Sequence, residues 1–225
     1  MEKQQRGHVI VVTYPAQGHI NPLLQFAKRL AFKGLKTTFA TTHYTANFIQ
    51  AGDIATEPIS DGYDEGGFKD APELRNLLRL VQNSWFKDST QLILKFSDSN
   101  SPVTSLVVYD SLLPWALDVA RKLGVSAAVI LTNSASVCSM YWQIHRGLLT
   151  LPVGPGSMPL LLPGLPPLGI SDMPSFLAQP VSHSAYLAAI MEKFSTLEQN
   201  DWVFVNTFEE LESEVTLVNL LIMEA

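Results

Sequence analysis

The sequence predicts a doubly wound α/β domain built on a mainly parallel, Rossmann-like sheet. Three observations lead to this fold class: short apolar runs rich in β-branched residues, helical periodicities between those runs, and regular alternation of the two along most of the chain. The 225 residues are enough for one large domain or two small ones. Because 47% of the residues are hydrophobic and only 16% are charged, we expect a folded chain with a sizeable core.

The first βαβ unit opens the chain. Residues 8–14 form a continuous apolar run of the kind found in a strand that is covered on both faces. Pro15 ends this strand, and a tight loop leads to Asn21 and Pro22, which have the residue types of a helix N-cap and a first helical residue. Apolar residues at helical spacing continue towards Gly34, where we expect the helix to stop.

The same alternation continues along the rest of the chain. A Pro- and Gly-rich connection at residues 150–180 is far longer than the usual ~4–6 residues, so it is either a functional rim, which we favour, or mobile. The further elements that the pattern predicts are strands at residues 37–41, 54–59, 105–109, 126–131 and 202–206, and helices at residues 72–97, 114–123, 134–146, 184–199 and 209–217.

The charge balance and the single cysteine exclude several function classes. Fifteen Lys and Arg against twenty-one Asp and Glu give a net charge of −6 with no basic run, which disfavours nucleic acid as a partner. Cys138 alone cannot form an internal disulfide or a multi-thiolate metal site. We therefore expect a small buried apolar thiol in a reducing compartment, the cytoplasm.

Two stretches lack charged residues over about the ~20 residues that a membrane-spanning helix needs. Residues 147–170 contain six prolines, and residues 123–145 carry five Thr, Asn and Ser residues near their middle. Neither composition suits a lipid-exposed helix, and the polar first eight residues do not resemble a signal peptide. We expect no stable membrane insertion.

Residues that directly follow predicted strands are the candidates for chemistry, because ligands bind beyond the carboxyl ends of parallel strands. His19 follows the first predicted strand, Asp110 the fourth and Thr132 the fifth. A carboxylate behind an imidazole orients the ring and stabilises its charged form, which leaves the other ring nitrogen as a general base. The alternatives are a surface or satisfied core histidine at His19 and a helix cap at Asp110.

None of the common nucleotide-binding or nucleophile motifs accompanies these residues. The sequence has no G-x-S-x-G elbow and no G-x-x-x-x-G-K-[ST] loop, and Gly18 stands alone where a dinucleotide site needs G-x-G-x-x-G. The five histidines show neither H-E-x-x-H nor H-x-x-x-H spacing. We therefore expect neither a metal nor a bound cofactor.

Four ordered motifs carry a family resemblance. They are YPAQGHINP at residues 14–22, ISDGYD at residues 59–64, VYD at residues 108–110 followed by PWA at residues 114–116, and VNTFEELE at residues 205–212. Together they closely resemble the plant UDP-dependent glycosyltransferases of small molecules, most of all the branch that includes glucosyltransferases of salicylate and related phenolic or carboxylic acceptors. The resemblance implies the N-terminal, acceptor-binding half of a two-domain GT-B fold.

The resemblance also implies roles for individual residues. His19 matches the family's general base and Asp110 its charge-relay partner, in an inverting and metal-free transfer from UDP-glucose, a co-substrate, to a small phenolic acceptor. Ala16 stands where relatives often have Ser or Thr. For Trp85, Met140 and Tyr141, three of the acceptor-side candidates, core packing is the competing interpretation. The donor-side candidates are Gly18, Asn21 and Thr132, and the acceptor-side candidates are Tyr14, Ala16, Gln17, Trp85, Asn133, Met140 and Tyr141.

The end of the sequence departs from the resemblance. The family's W-x-P-Q…H-C-G-W-N-S…D-Q stretch, which holds UDP, does not occur. We therefore expect residues 1–214 to be an N-terminal acceptor-binding domain, residues 215–225 an atypical truncated tail, and the C-terminal domain to be missing. Such a chain would be inactive alone and would bind UDP-sugar only with a C-terminal domain. Two hypotheses stay open: a glycosyltransferase half that is catalytic when complete, and a non-catalytic half-domain that binds a small molecule or a partner.

Overall fold

A six-stranded sheet organises the fold. The computed structural model describes residues 6–67, 104–182 and 184–215, apart from residues 155 and 157. The sheet has the order β3-β2-β1-β4-β5-β6, and the pairs β1–β2, β2–β3, β1–β4 and β4–β5 are all parallel. This arrangement confirms the predicted mainly parallel sheet. The strands are β1 (Arg6–Val12), β2 (Leu35–Thr42), β3 (Ala55–Ile59), β4 (Thr104–Asp110), β5 (Ser126–Leu131) and β6 (Trp202–Val205).

Most helices lie between the strands, and two short ones, His43–Ala46 and Ser175–Ala178, are not predicted by the sequence pattern. Residues 209–215 are also helical, and short 3₁₀ turns occupy Ile170–Asp172 and Leu197–Gln199. The predicted helix at residues 72–97, with Trp85 in it, lies outside the described residues. The α-helices are α1 (Gln17–Phe32), α2 (His43–Ala46), α3 (Trp115–Lys122), α4 (Ala135–His145), α5 (Ser175–Ala178) and α6 (Ser184–Ser195).

The strand order creates a topological switch point between β1 and β4. From β1 the chain moves outward through β2 to β3, and from β4 it moves outward in the other direction through β5 to β6. Helices that follow two adjacent strands on either side of such a point diverge, which opens a crevice at the carboxyl ends of those strands. The crevice between β1 and β4 is therefore the place where the topology favours a ligand.

The core explains why β1 is an uninterrupted apolar run. Val9 and Val11 lie in one cluster with Leu23 and Ala27 of α1 and Phe39 of β2, and each of these five residues is at most 2% exposed. Burial of a Val, Leu or Phe side chain contributes roughly 1.5–3 kcal/mol. This packing fixes α1 against the sheet and so fixes the position of its first turn.

The start of α1 differs from the prediction. The sequence predicts an N-cap at Asn21, whereas the helix begins at Gln17 and Ala16 is its N-cap in extended backbone geometry, with φ −120° and ψ 142°. Pro22 consequently lies inside the helix. A proline this close to the start removes just the N–H that would bond to the carbonyl of Gly18, and the rest of the helical ladder is kept. The correction moves Gly18 and His19 from a loop into the first turn of a helix.

The described residues form two compact units. The first comprises Met1–Thr132 together with Leu197–Phe204. Its later segment is tied to the sheet by side chains: the Tyr109 hydroxyl donates to Asn200 Oδ1 at 2.8 Å, and Asp201 Oδ2 accepts the backbone N–H of Ala127 at 2.8 Å. The second unit comprises Asn133–Thr196 and Val205–Ala225 and contains α4, α5 and α6.

The long Pro- and Gly-rich connection has local structure of its own inside the second unit. Leu160 and Leu168 exchange backbone hydrogen bonds of 2.8 and 3.0 Å in an isolated antiparallel bridge. Both are buried, as are Met173 and Leu177 further along the segment. Its function as a rim stays a prediction. No helix among the described residues combines the length and the apolar character that a membrane crossing requires.

Candidate active site

Three of the predicted strand-end residues meet at the carboxyl edge of the sheet. Asp110 is the last residue of β4, and Thr132 is the first residue after β5. His19 lies in the first turn of α1, which follows β1 after a short connection. Since β1, β4 and β5 are consecutive in the sheet order, the three side chains are brought together across the switch point.

The pair of His19 and Asp110 has the geometry of an oriented base. His19 Nδ1 lies 2.7 Å from Asp110 Oδ2; the Asp110 side chain is completely buried and the His19 side chain is 23% exposed. The other carboxylate oxygen, Oδ1, accepts the backbone N–H of Leu112 at 2.9 Å. A carboxylate that accepts from Nδ1–H fixes the tautomer in which Nε2 has a lone pair. Nε2 can then accept a proton from a bound hydroxyl.

The helix-cap alternative for Asp110 does not hold in this structure. The nearby helix α3 has Pro114 as its N-cap, with no side-chain hydrogen bond to the cap. Asp110 instead closes a tight turn at Leu112 with one oxygen and meets His19 with the other. Its burial is therefore matched by partners on both oxygens, as a buried carboxylate requires.

Two further side chains contact the His19 imidazole. Thr132 Oγ1 lies 3.1 Å from Nδ1, the same nitrogen that faces Asp110. The Tyr14 ring, which is 3% exposed, packs against the imidazole in an edge-to-face arrangement with the ring centroids 5.3 Å apart. Together with Asp110, these contacts place three side chains around the imidazole.

The remaining predicted residues of the first unit surround the start of α1. Gln17, Gly18 and Asn21 are exposed, and a methyl group added at Gly18 would meet nothing within 4 Å. Ala16, Gln17 and Asn21 line a cavity of about 560 Å³ between one face of α1 and residues 44–50. His19 does not line this cavity, because it occupies a different face of the helix. The donor-side roles of Gly18 and Asn21 and the acceptor-side roles of Ala16 and Gln17 stay predictions.

The other three described candidates belong to the second unit. Asn133 is exposed, and its Oδ1 accepts from Lys193 Nζ at 3.2 Å. Met140 and Tyr141 are 4% and 1% exposed, and burial, with a smaller contribution from Cys138, raises the pKa of Tyr141 to about 12. Such burial favours the core-packing interpretation of these two residues. Among the described residues, no group of three or more His, Cys, Asp or Glu side chains could hold a metal ion.

Sequence reasoning missed Lys193, a buried cation of the second unit. Its side chain is 2% exposed, and its Nζ lies 5.5 Å from the Tyr141 ring centroid and 5.0 Å from that of Phe194. Ammonium groups at such distances from ring faces are attracted by the ring quadrupole. The sequence signal for it is weak, because a single lysine in the apolar segment before Phe194 is indistinguishable from a surface charge.

Comparison with known proteins finds plant UDP-glycosyltransferases that match almost the whole of this chain. It is 41% identical over 213 residues to UDP-glycosyltransferase 74F2 of Arabidopsis thaliana, covering 93% of this chain and 46% of the relative. It is 38% identical over 217 residues to the flavonol 7-O-beta-glucosyltransferase UGT74F1 of the same plant, covering 94% and 46%. This chain is a homologue of the N-terminal half of plant UDP-glycosyltransferases. The resemblance carried by the four motifs is confirmed, although a scan with protein-family models found no match.

A solved structure supports the same relationship to the UDP-glycosyltransferases. The crystal structure of Os79 from O. sativa in complex with UDP superposes with a TM-score of 0.84 at 35% sequence identity, covering 92% of this chain and 47% of Os79. The fold is therefore that of the N-terminal domain of a GT-B glycosyltransferase. The chain spans about half the length of the relatives that it matches.

One more part of the family motif VNTFEELE has a defined structural task. The Glu212 carboxylate accepts hydrogen bonds from the backbone N–H groups of Ala135 and Ser136, both at 2.9 Å, and from the hydroxyls of Ser136 and Thr207, both at 2.5 Å. Desolvation raises the pKa of Glu212, but these hydrogen bonds outweigh it and lower the pKa to about 2. Glu212 therefore ties the 209–215 segment to the start of α4 as an anion at a helix N-terminus.

Glu212→Gln is expected to reduce the free energy of unfolding by about 2–3 kcal/mol at pH 7. The reason is that the pKa of Glu212 falls from 4.5 to about 2 on folding. Solvent screens part of the electrostatic stabilisation, and the expected value allows for this screening. A depressed pKa contributes stability that is complete above pH 4.5 and is lost as the pH falls towards 2. The difference between the two proteins in urea unfolding should therefore shrink on acidification. Glu214→Gln, at an exposed carboxylate two residues later, is the matched control. An equal effect of both substitutions would contradict the assignment.

Proposed function

We infer that the chain supplies the acceptor-binding half and the general base of a UDP-glycosyltransferase. The transferred group would be a hexose, with glucose expected, and the receiving group a hydroxyl or carboxyl of a small phenolic acceptor. The observation that carries this proposal is the buried Asp110 carboxylate at 2.7 Å from His19 Nδ1, at the switch point of a sheet homologous to that of UDP-glycosyltransferases.

The chemistry follows from the protonation pattern of the pair. With Nδ1–H directed at Asp110, Nε2 accepts the proton of the acceptor hydroxyl while the hydroxyl oxygen bonds to the anomeric carbon of the sugar. The bond between that carbon and the UDP oxygen breaks as the new bond forms, and UDP carries away the electron pair. Attack opposite to the leaving group inverts the configuration. Asp110 stabilises the imidazolium that results.

One of the relatives supports the expected acceptor class. One relative at 38% identity is named for glucosylation of a flavonol at the 7-oxygen, which is a phenolic hydroxyl. A phenol with a small ring system is therefore the first acceptor to test, and salicylate offers a hydroxyl and a carboxyl in one molecule.

Joining this chain to the second half of a relative tests the proposal. The fusion is expected to form a glucoside from UDP-glucose and a phenol, whereas the chain alone is expected to bind the phenol and not UDP-glucose. Titration calorimetry with each ligand separately, followed by a transfer assay, measures both. A folded fusion that binds both ligands and transfers no sugar would refute the catalytic proposal.

A non-catalytic half-domain is the second candidate function. It is favoured by one observation, the cavity of about 560 Å³ beside the first turn of α1: His19 does not line it, so a small molecule bound there would not contact the base. Such a protein would bind a small phenol or a partner chain without transferring sugar. In the fusion experiment, this candidate is favoured if no glucoside forms and if His19→Ala leaves phenol binding unaffected.

A further inference from the structure

The His19 imidazole has two oxygen neighbours on a single nitrogen. Nδ1 lies 2.7 Å from Asp110 Oδ2 and 3.1 Å from Thr132 Oγ1. The two oxygens come from different strands, Asp110 from the end of β4 and Thr132 from the residue after β5. The sheet therefore holds both of them in position relative to each other, since β4 is paired with β5 from Leu106 to Asp110.

One proton on Nδ1 serves both oxygens. An ionised carboxylate only accepts hydrogen bonds, so Nδ1 must be the donor to Asp110. The same N–H then has the Thr132 hydroxyl oxygen as a second acceptor in a three-centre hydrogen bond. Rotation of the ring about its Cβ–Cγ bond would break both contacts at once. Two fixed acceptors therefore restrict the ring more than one does.

We propose that Thr132 is a positioning residue of the base: its hydroxyl accepts from His19 Nδ1–H and fixes the plane of the imidazole, so that Nε2 points steadily at the acceptor oxygen. The family resemblance alone implies a different role for Thr132, a contact that reaches toward the donor sugar. The two roles predict different effects of removing the hydroxyl. The expected effect on kcat rests on the proposed function, whereas the expected effect on the mobility of the His19 ring does not.

The structural arm measures the mobility of the His19 ring in the chain as it exists. Magic-angle-spinning NMR of the histidine-labelled protein gives an order parameter for the Cε1–H bond of each ring, and His19→Asn identifies the signal of His19. Thr132→Val, which keeps the volume and removes the hydroxyl, is expected to lower that order parameter. Thr132→Ser, which keeps the hydroxyl, is expected to preserve it. An unchanged order parameter in Thr132→Val would overturn the proposal.

The kinetic arm uses the fusion with a relative's second half. Thr132→Val is expected to lower kcat for a phenolic acceptor by about 2- to 12-fold, the range that one neutral hydrogen bond supports, with the KM for UDP-glucose unchanged. A raised KM for UDP-glucose with kcat preserved would mean a donor contact and would also overturn the proposal. If the fusion with wild-type Thr132 transfers no sugar, the proposed function fails, and the ring mobility still decides the role of Thr132.

Discussion

His19→Ala, in the chain joined to a relative's second half, is expected to lower kcat for a phenolic acceptor by about 10²–10⁴-fold. A phenol has a pKa of roughly 10 and is protonated at neutral pH, so its oxygen attacks well only while a base removes the proton. Nε2 of His19 is the group in position to do so, because Nδ1 is committed to Asp110 at 2.7 Å. Acceptor binding is expected to change little.

The same substitution should behave differently with a carboxylic acceptor. Carboxyl groups have pKa values of about 4 and are already ionised at neutral pH, so the attacking oxygen has no proton to lose. We therefore expect His19→Ala to reduce the rate of ester formation far less than the rate of phenol glucosylation. Salicylate, which offers both groups, would then shift from glucoside towards glucose ester. Product analysis by chromatography measures this ratio directly.

A matched control separates catalysis from a general effect of losing a histidine. His43 is exposed at the start of α2, on a different element from His19, so His43→Ala is expected to leave kcat unchanged. If His19→Ala retained more than half of the wild-type kcat with a phenol, His19 would not be the base. The thermal midpoint of both variants checks that the fold is kept.

The strands of the sheet are predictable because the residue pattern that marks each strand lies within the strand itself. The apolar run SAAVIL lies between Gly124 and polar Thr132, and β5 occupies Ser126–Leu131 as predicted. The start of α1 is not predictable from residue types, because Asn21 and Pro22 both favour a helix start. Packing of Leu23 and Ala27 in the core fixes the helix and offsets the cost of having Pro22 inside it.

The three residues that meet at the sheet edge could be singled out from the sequence, but their contacts could not. The rule that ligands bind at the carboxyl ends of parallel strands singles out His19, Asp110 and Thr132 from the order of residues along the chain. Their contacts join residues 91 and 113 positions apart, and a spacing of this size in sequence does not encode distance. The same holds for Glu212, which reaches Ser136 over 76 positions. These partners depend on tertiary structure alone.

Asp110→Asn is expected to lower kcat for a phenolic acceptor nearly as far as His19→Ala does, within the same limit of about 10²–10⁴-fold. Asn keeps the shape and one carbonyl oxygen, which can still accept the Leu112 N–H. The amide group that replaces Oδ2 would instead donate to His19 Nδ1, which forces the proton onto Nε2. The imidazole then lacks the lone pair that the reaction needs.

Because Asp110 acts through His19, the two substitutions should not be additive. The double variant His19→Ala with Asp110→Asn is expected to have the same kcat as His19→Ala alone, since without the imidazole the carboxylate has nothing to orient. Equal kcat values for the single and the double variant therefore identify a relay pair. Losses that multiply would mean that Asp110 contributes independently. A lowered thermal midpoint with kcat intact would mean that the Asp110 carboxylate supports the fold and does not orient the base.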